Sequence, residues 1–300
     1  MGSILSRFHG RPVAVASFTA PLYVGTDYEC LPPYPTPSFL YIDTLVDAEE
    51  NLRQVQPGAV VGFDLEWVDK PHEKLKPAAK KTKLAQEIQQ LTSGSFSIDW
   101  DAAAVCLAQI ATEDNKVFVI NLHIMRAIPS EFIRICESRE ILKVAPGISN
   151  DGRALWDSFR QNLLNVASLG LFAKLVYPEH IFPQLSYAVE PGLQLIAAYT
   201  LGQYVSKKEQ KSQWDAIPLP DNLKQYAAVD PHASLKLYKT LQSHLSESNV
   251  YVDQEWFHFD IKQRSCVHVG TENPWKAQCP WWANVTSEGF ISRTSASRPV

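Results

Sequence analysis

Asp64 and Glu66 stand two residues apart in the run AVVGFDLEW, residues 59–67. Side chains alternate along a strand, so these two acids point to the same face. Their neighbours Val60, Val61, Phe63 and Leu65 are apolar. Two carboxylates on one face of such a strand repel each other and are costly to desolvate. A divalent cation relieves both problems, and hard oxygen ligands suit Mg²⁺ or Mn²⁺. Asp151, in LKVAPGISND, falls where a strand gives way to a helix, and the helix dipole there favours negative charge. Tyr226 and Asp230 in QYAAVD are four residues apart and share one face of a helix. A phenol and a carboxylate so placed can hold a water between them. Taken singly, each has a plain structural reading: an exposed acid pair, a helix cap beside Ser149 or Asn150, a tyrosine bonded to an acid.

The elements that must carry these residues read as α/β. Strand patterns run over 39–42, 59–67, 105–110, 117–122 and 142–148. Helical patterns cover 45–54, 129–136, 151–164, 192–204 and 221–244, with Leu155, Phe159 and Leu163 expected on one face of the third. Strands come first as a meander and then alternate with helices, which predicts a mixed sheet covered by helices.

The chain has 300 residues, 45% hydrophobic and 20% charged, within ordinary globular usage. Its 28 basic and 32 acidic side chains give a formal charge of −4. That excludes a strongly basic binder held to nucleic acid by bulk charge, but not an enzyme with a local basic groove. No apolar run approaches a membrane span. Five cysteines with no CxxC suit a reducing compartment, so a nuclear or cytoplasmic location is expected. Met1–Ser6 fits the loose myristoylation pattern, and an acid-free start through Thr26 also suits mitochondrial import.

Three domain segments are expected: an arm over 1–37, partly flexible, a domain over 38–245 that carries these motifs, and a tryptophan-rich extension over 246–300. A lysine-rich insertion at about 70–100 interrupts the domain, with Lys70, Lys74, Lys76, Lys80, Lys81 and Lys83 clustered in it. It reads either as a solvated loop or as an arm that attracts phosphates. His258, Cys266, His268 and Cys279 in the extension match no ordinary zinc spacing.

The set of motifs is far more specific than its members. A strand D-x-E, an Asp between strand and helix, and a helical Y-x-x-x-D occur in order. This resembles the DEDDy 3′–5′ exonucleases of the RNase D and Werner-exonuclease type. VVGFDLEW is similar to the family's first motif, VCLAQIAT and VFVINL to its next two strands, and KVAPGISNDGRAL to its second motif. The likeness is greatest from Leu185 to Leu241, where Lys207, Lys208, Ser212 and Trp214 match positions before the third motif. Gln225 stands where a sister class carries histidine, which favours the tyrosine class.

The resemblance implies an RNase H-like fold, a mixed sheet flanked by helices on both faces. It implies two divalent cations, Mg²⁺ or Mn²⁺: Asp64, Glu66 and Asp230 on one, and Asp64 bridging to a second supported by Asp151. Tyr226 would orient the attacking water. The partner would be DNA or RNA with a free 3′ end, released as nucleoside 5′-monophosphates. Leu65, Trp67 and Arg153 would lie along the substrate channel. Two departures bear on activity. Pro231 follows Asp230 and either kinks the helix or starts a new turn; Pro146 falls in the expected strand before Asp151. A catalytically silent member that binds nucleic acid or protein through the same fold is the alternative.

Overall fold

The computed structural model describes residues 28–68, 98–100, 102–177, 190–248 and 252–277. The arm up to residue 27, the lysine cluster, Cys279, Trp281 and Trp282 lie outside the described residues.

Among the described residues, eight strands form one mixed sheet in the order β1-β4-β3-β2-β5-β6-β7-β8. They are β1 (Leu40–Ile42), β2 (Val60–Trp67), β3 (Val105–Ala111), β4 (Val117–Asn121), β5 (Leu142–Ala145), β6 (Leu163–Ser168), β7 (His258–Lys262) and β8 (Ser265–Val267). β2, β3 and β4 pair as the antiparallel meander expected from the sequence. β2 pairs in parallel with β5, and β5 with β6, which places β2 at the centre. That position explains why its sequence is apolar on both sides of the acid pair.

The α-helices among the described residues are α1 (Leu45–Leu52), α2 (Leu122–Met125), α3 (Ser130–Glu137), α4 (Ile148–Phe159), α5 (Leu169–Val176), α6 (Leu193–Leu201) and α7 (Asp221–Ser248). Thr44 caps α1 by accepting from the Asp47 N–H at 3.2 Å. Gly58, at φ 86°, makes the turn into β2 in a conformation few other residues adopt. Helices cover both faces. Phe63 of β2 stacks on Phe132 of α3, while Gly62, on the opposite face, lies under α7. Among the described residues no helix is long and apolar enough to cross a membrane.

Three expectations needed correction. The helix predicted over 151–164 begins at Ile148, because Pro146 and Gly147 (φ 63°) end β5 and turn the chain earlier. Pro146 therefore follows the strand rather than interrupting it. The helix stops at Phe159, where Arg160 turns left-handed and donates its N–H to the Trp156 carbonyl at 2.9 Å. Leu163 consequently belongs to β6, a strand the helical pattern concealed. The sheet also continues beyond residue 245. Asp260 of β7 is fully buried and accepts hydrogen bonds from the N–H groups of Asn165 (2.8 Å) and Gly270 (3.0 Å). The same carboxylate pairs with Arg139 at 3.2 Å. Residues 258–267 are thus two strands of the same sheet.

The described part of the arm is packed too. Tyr34 is buried, and its main chain pairs with Tyr204.

Candidate active site

The site begins with the pleat of β2. Gly62, Asp64 and Glu66 fall on one face; Phe63 and Leu65 fall on the other, in the core. Gly62 decides how close α7 can come. A β-carbon at residue 62 would lie 1.8 Å from the Pro231 carbonyl oxygen and 3.2 Å from the Leu235 β-carbon. With only hydrogen there, the helix backbone rests directly on the strand. The helix continues through Pro231 as a single element. Asp230, next to that contact, is thereby set beside the strand acids. Asp64, Glu66 and Asp230 each offer an oxygen, all within 4.8 Å of one another.

Asp151 comes from the other side. It sits in the first turn of α4, buried, and the main chain of Leu65 hydrogen-bonds its carboxylate. Because α4 begins at Ile148, Ser149 and Asn150 lie inside the helix rather than capping it, contrary to the sequence reading. Glu190 secures the turn before α4, accepting from the Gly147 N–H at 3.1 Å and the Ser168 hydroxyl at 2.6 Å. All four acids line one cleft of about 790 Å³.

Charge is crowded in this cleft. Burial first, and then the charges of Asp230 and Asp151, push the Asp64 carboxyl well above its usual range. Burial and Asp64 do the same to Glu66. Burial raises Asp151 to about 8. Four carboxyls this close cannot all ionise without matching positive charge. Lys207 supplies one such charge, with its Nζ 2.6 Å from Asp230 Oδ2. The Asp230 carboxyl still remains raised, because burial outweighs the lysine. Asp230 Oδ1, the other carboxylate oxygen, is buried without a protein partner, as is the Tyr226 hydroxyl. A hard cation on Asp64, Glu66 and Asp230 would satisfy the first and relieve the repulsion, so the donor set fits a divalent metal.

Tyr226 lies one turn before Asp230 on α7, buried, with its ring 5.8 Å from that of Trp214. Burial and then the charges of Asp230, Glu66 and Asp64 raise its phenol, which keeps it a proton donor at neutral pH. Leu65 and Trp67 are among the residues that line the cleft, Leu65 with its side chain turned into the core. Arg153 does not line it: its guanidinium meets the Asn150 side chain (3.3 Å) and the Arg264 carbonyl (3.4 Å).

Residues 92–246 match the family model described as 3′–5′ exonuclease, just over half of the chain. The chain belongs to the 3′–5′ exonuclease family. The family match begins after the strand that carries Asp64 and Glu66, so that pair rests on the geometry above. Among curated proteins, the exonuclease-family chain is 24% identical over 196 residues to the bifunctional 3′–5′ exonuclease/ATP-dependent helicase WRN of Mus musculus, covering 65% of this chain and 12% of that protein. It is 25% identical over 197 residues to a candidate 3′–5′ exonuclease of Acanthamoeba polyphaga mimivirus, covering 63% and 48%. The chain thus spans less than half the length of either relative. Its fold is similar to the catalytic core of RRP6 from Trypanosoma brucei (TM-score 0.52, 21% identity, 73% of this chain and 51% of that one). It is also similar to the Nibbler EXO domain of Aedes aegypti (TM-score 0.51, 18% identity, 71% and 90%).

Sequence reasoning missed several contributors to this exonuclease-family site. Lys207 was visible as a motif position but carried no assigned role. Glu190 had no signal, because its partners are distant in sequence. Gln109 lies directly opposite Asp64 on β3, fully buried, with both amide atoms unpartnered. Gly62 was legible only as a glycine two residues before the acid.

Proposed function

We propose that this chain is a metal-dependent 3′–5′ exonuclease of the DEDDy type, hydrolysing DNA or RNA from a free 3′ end. The observation that carries the reading is the trio Asp64, Glu66 and Asp230 within 4.8 Å, beside an unpartnered Asp230 oxygen and Tyr226 hydroxyl. Asp64, Glu66 and Asp230 would hold one Mg²⁺ or Mn²⁺, and Asp64 with Asp151 a second. Such ions acidify a bound water and offset the negative charge that builds on the departing 3′-oxygen. Tyr226 donates a hydrogen bond that orients the attacking water; being protonated, it is not the base. Lys207 offsets charge on Asp230 and presents its ammonium to the phosphate-bearing cleft. Trp67, half-buried at the cleft, gives the terminal nucleotide an apolar surface. Water adds across the P–O3′ bond, leaving a nucleoside 5′-monophosphate and a new 3′-hydroxyl.

The test uses matched 5′-labelled DNA and RNA single strands with Mg²⁺, Mn²⁺ or chelator. Stepwise shortening from the 3′ end, lost in Asp64→Ala and in chelator, is the expected result. Strand binding without shortening under either metal would replace this reading with the silent binding member.

A further inference from the structure

The segment ahead of β1 is tied to the loop that carries Lys207. The Tyr34 N–H donates to the Tyr204 carbonyl at 2.7 Å, and the Tyr204 N–H donates to the Pro32 carbonyl at 2.8 Å. Pro33 and Tyr204 thereby pair as an isolated parallel bridge. The Tyr34 side chain, 6% exposed, reaches α7: its hydroxyl is 2.8 Å from His232 Nδ1. Lys236 Nζ stands 5.5 Å from the centre of the same ring.

These contacts close a circuit. Tyr204 is three residues before Lys207. Lys207 bonds Asp230 at 2.6 Å, and Asp230 is two residues before His232. His232 returns to Tyr34. The strap therefore grips both chain segments whose side chains meet in the ion pair. It also shares a cavity of about 240 Å³ with Tyr226.

A lysine ammonium on a four-carbon stem has no geometry of its own, so its backbone anchor decides where it rests. We propose that residues 32–34, anchored by Tyr34, are a positioning element that fixes Lys207 against Asp230 and so sets the spacing of the acid cluster. This inference rests on the exonuclease reading of the site. Tyr34 touches neither the acids nor the cleft and acts through Tyr204 and His232.

The experiment compares the full chain with Tyr34→Ala and Tyr34→Phe. It measures kcat and KM on a 5′-labelled strand, the melting temperature, and hydrogen exchange of residues 202–208. Misplacement of about 1 Å costs up to ~100-fold in rate, so Tyr34→Ala should lose ~10- to 100-fold in kcat with KM within ~2-fold. Exchange at residues 202–208 should accelerate. Tyr34→Phe, which keeps the ring and loses only the hydroxyl bond to His232, should lose a few-fold in kcat, with a smaller acceleration of exchange at 202–208 than Tyr34→Ala. Wild-type kcat in Tyr34→Ala, or a loss matched by the unfolded fraction with unchanged exchange, would overturn the proposal. If Tyr34→Ala does not fold, Tyr34→Phe decides: it must lose a few-fold in kcat with faster exchange at 202–208, and wild-type values of both overturn the proposal. If the wild type shortens no strand, the exonuclease reading fails by itself, and the exchange comparison still decides whether the strap holds the Lys207 loop.

Discussion

Gly62→Ala tests how the site is assembled. The added β-carbon would fall 1.8 Å from the Pro231 carbonyl oxygen and 2.7 Å from its carbonyl carbon. Both atoms are backbone, so no side chain can swing aside. A carbon needs roughly 3.5 Å from such neighbours, so α7 must retreat by more than about 1 Å. Overpacking of this kind costs about 1–3 kcal/mol. The retreat also carries Asp230 away from Asp64 and Glu66, and a shift of that size costs up to ~100-fold in rate. Gly58→Ala is the matched control. It stands at φ 86° with nothing within 4 Å, so it should cost about 1–2 kcal/mol of backbone strain and leave the rate of the folded protein intact. Thermal melts and single-turnover digestion of a 5′-labelled strand, run well below both melting points, separate the two effects. Wild-type rates in folded Gly62→Ala would refute the claim that this contact sets the acid spacing.

Other outcomes follow from the same geometry. Raised folded-state carboxyl pKa values mean the folded protein binds more protons than the unfolded one, so stability falls as pH rises. For Asp151 the window runs from about 3.8 to about 8. Melting temperature in chelator should therefore drop between pH 5 and 8, and Mn²⁺ should flatten the drop; a pH-independent melt would contradict the crowding of the acids. Asp64→Asn should raise the melting temperature in chelator while abolishing shortening, since it removes one of the repelling charges. Lys207→Met should lower stability by about 1–3 kcal/mol in chelator, the worth of a hydrogen bond to a charged group, with partial recovery in Mn²⁺ as read by thermal melts. Asp260→Ala should cost about 1–3 kcal/mol, because the main-chain N–H groups of Asn165 and Gly270 lose their carboxylate while the half-exposed Arg139 can turn to water, and denaturant titration reads it directly. A chain ended after Ser248 should be insoluble, because it exposes the β6 edge; a monomeric, cooperatively melting product would show that β7 and β8 are dispensable.

The sequence alone pointed to the chemistry proposed above. The types and order of Asp64, Glu66, Asp151, Tyr226 and Asp230 were legible because strand and helix periods are local, and a spacing of two or four residues assigns a face without knowing the fold. The central meander was legible for the same reason: β2, β3 and β4 are apolar runs, the last two joined by a short polar turn. Where two periods overlap, local reading failed. Leu163 fits a helical face as well as a strand, and only the left-handed Arg160 ends α4 in time. Nor could local pattern join β7 to β6, since that pairing brings Asp260 onto the Asn165 N–H, 95 residues away. Tertiary structure alone decided the distances. It brings α7 onto Gly62, Lys207 onto Asp230, Leu65's main chain onto Asp151 and Tyr34 onto His232. Each of these is a contact between segments far apart in the chain, where packing, not period, selects the partner.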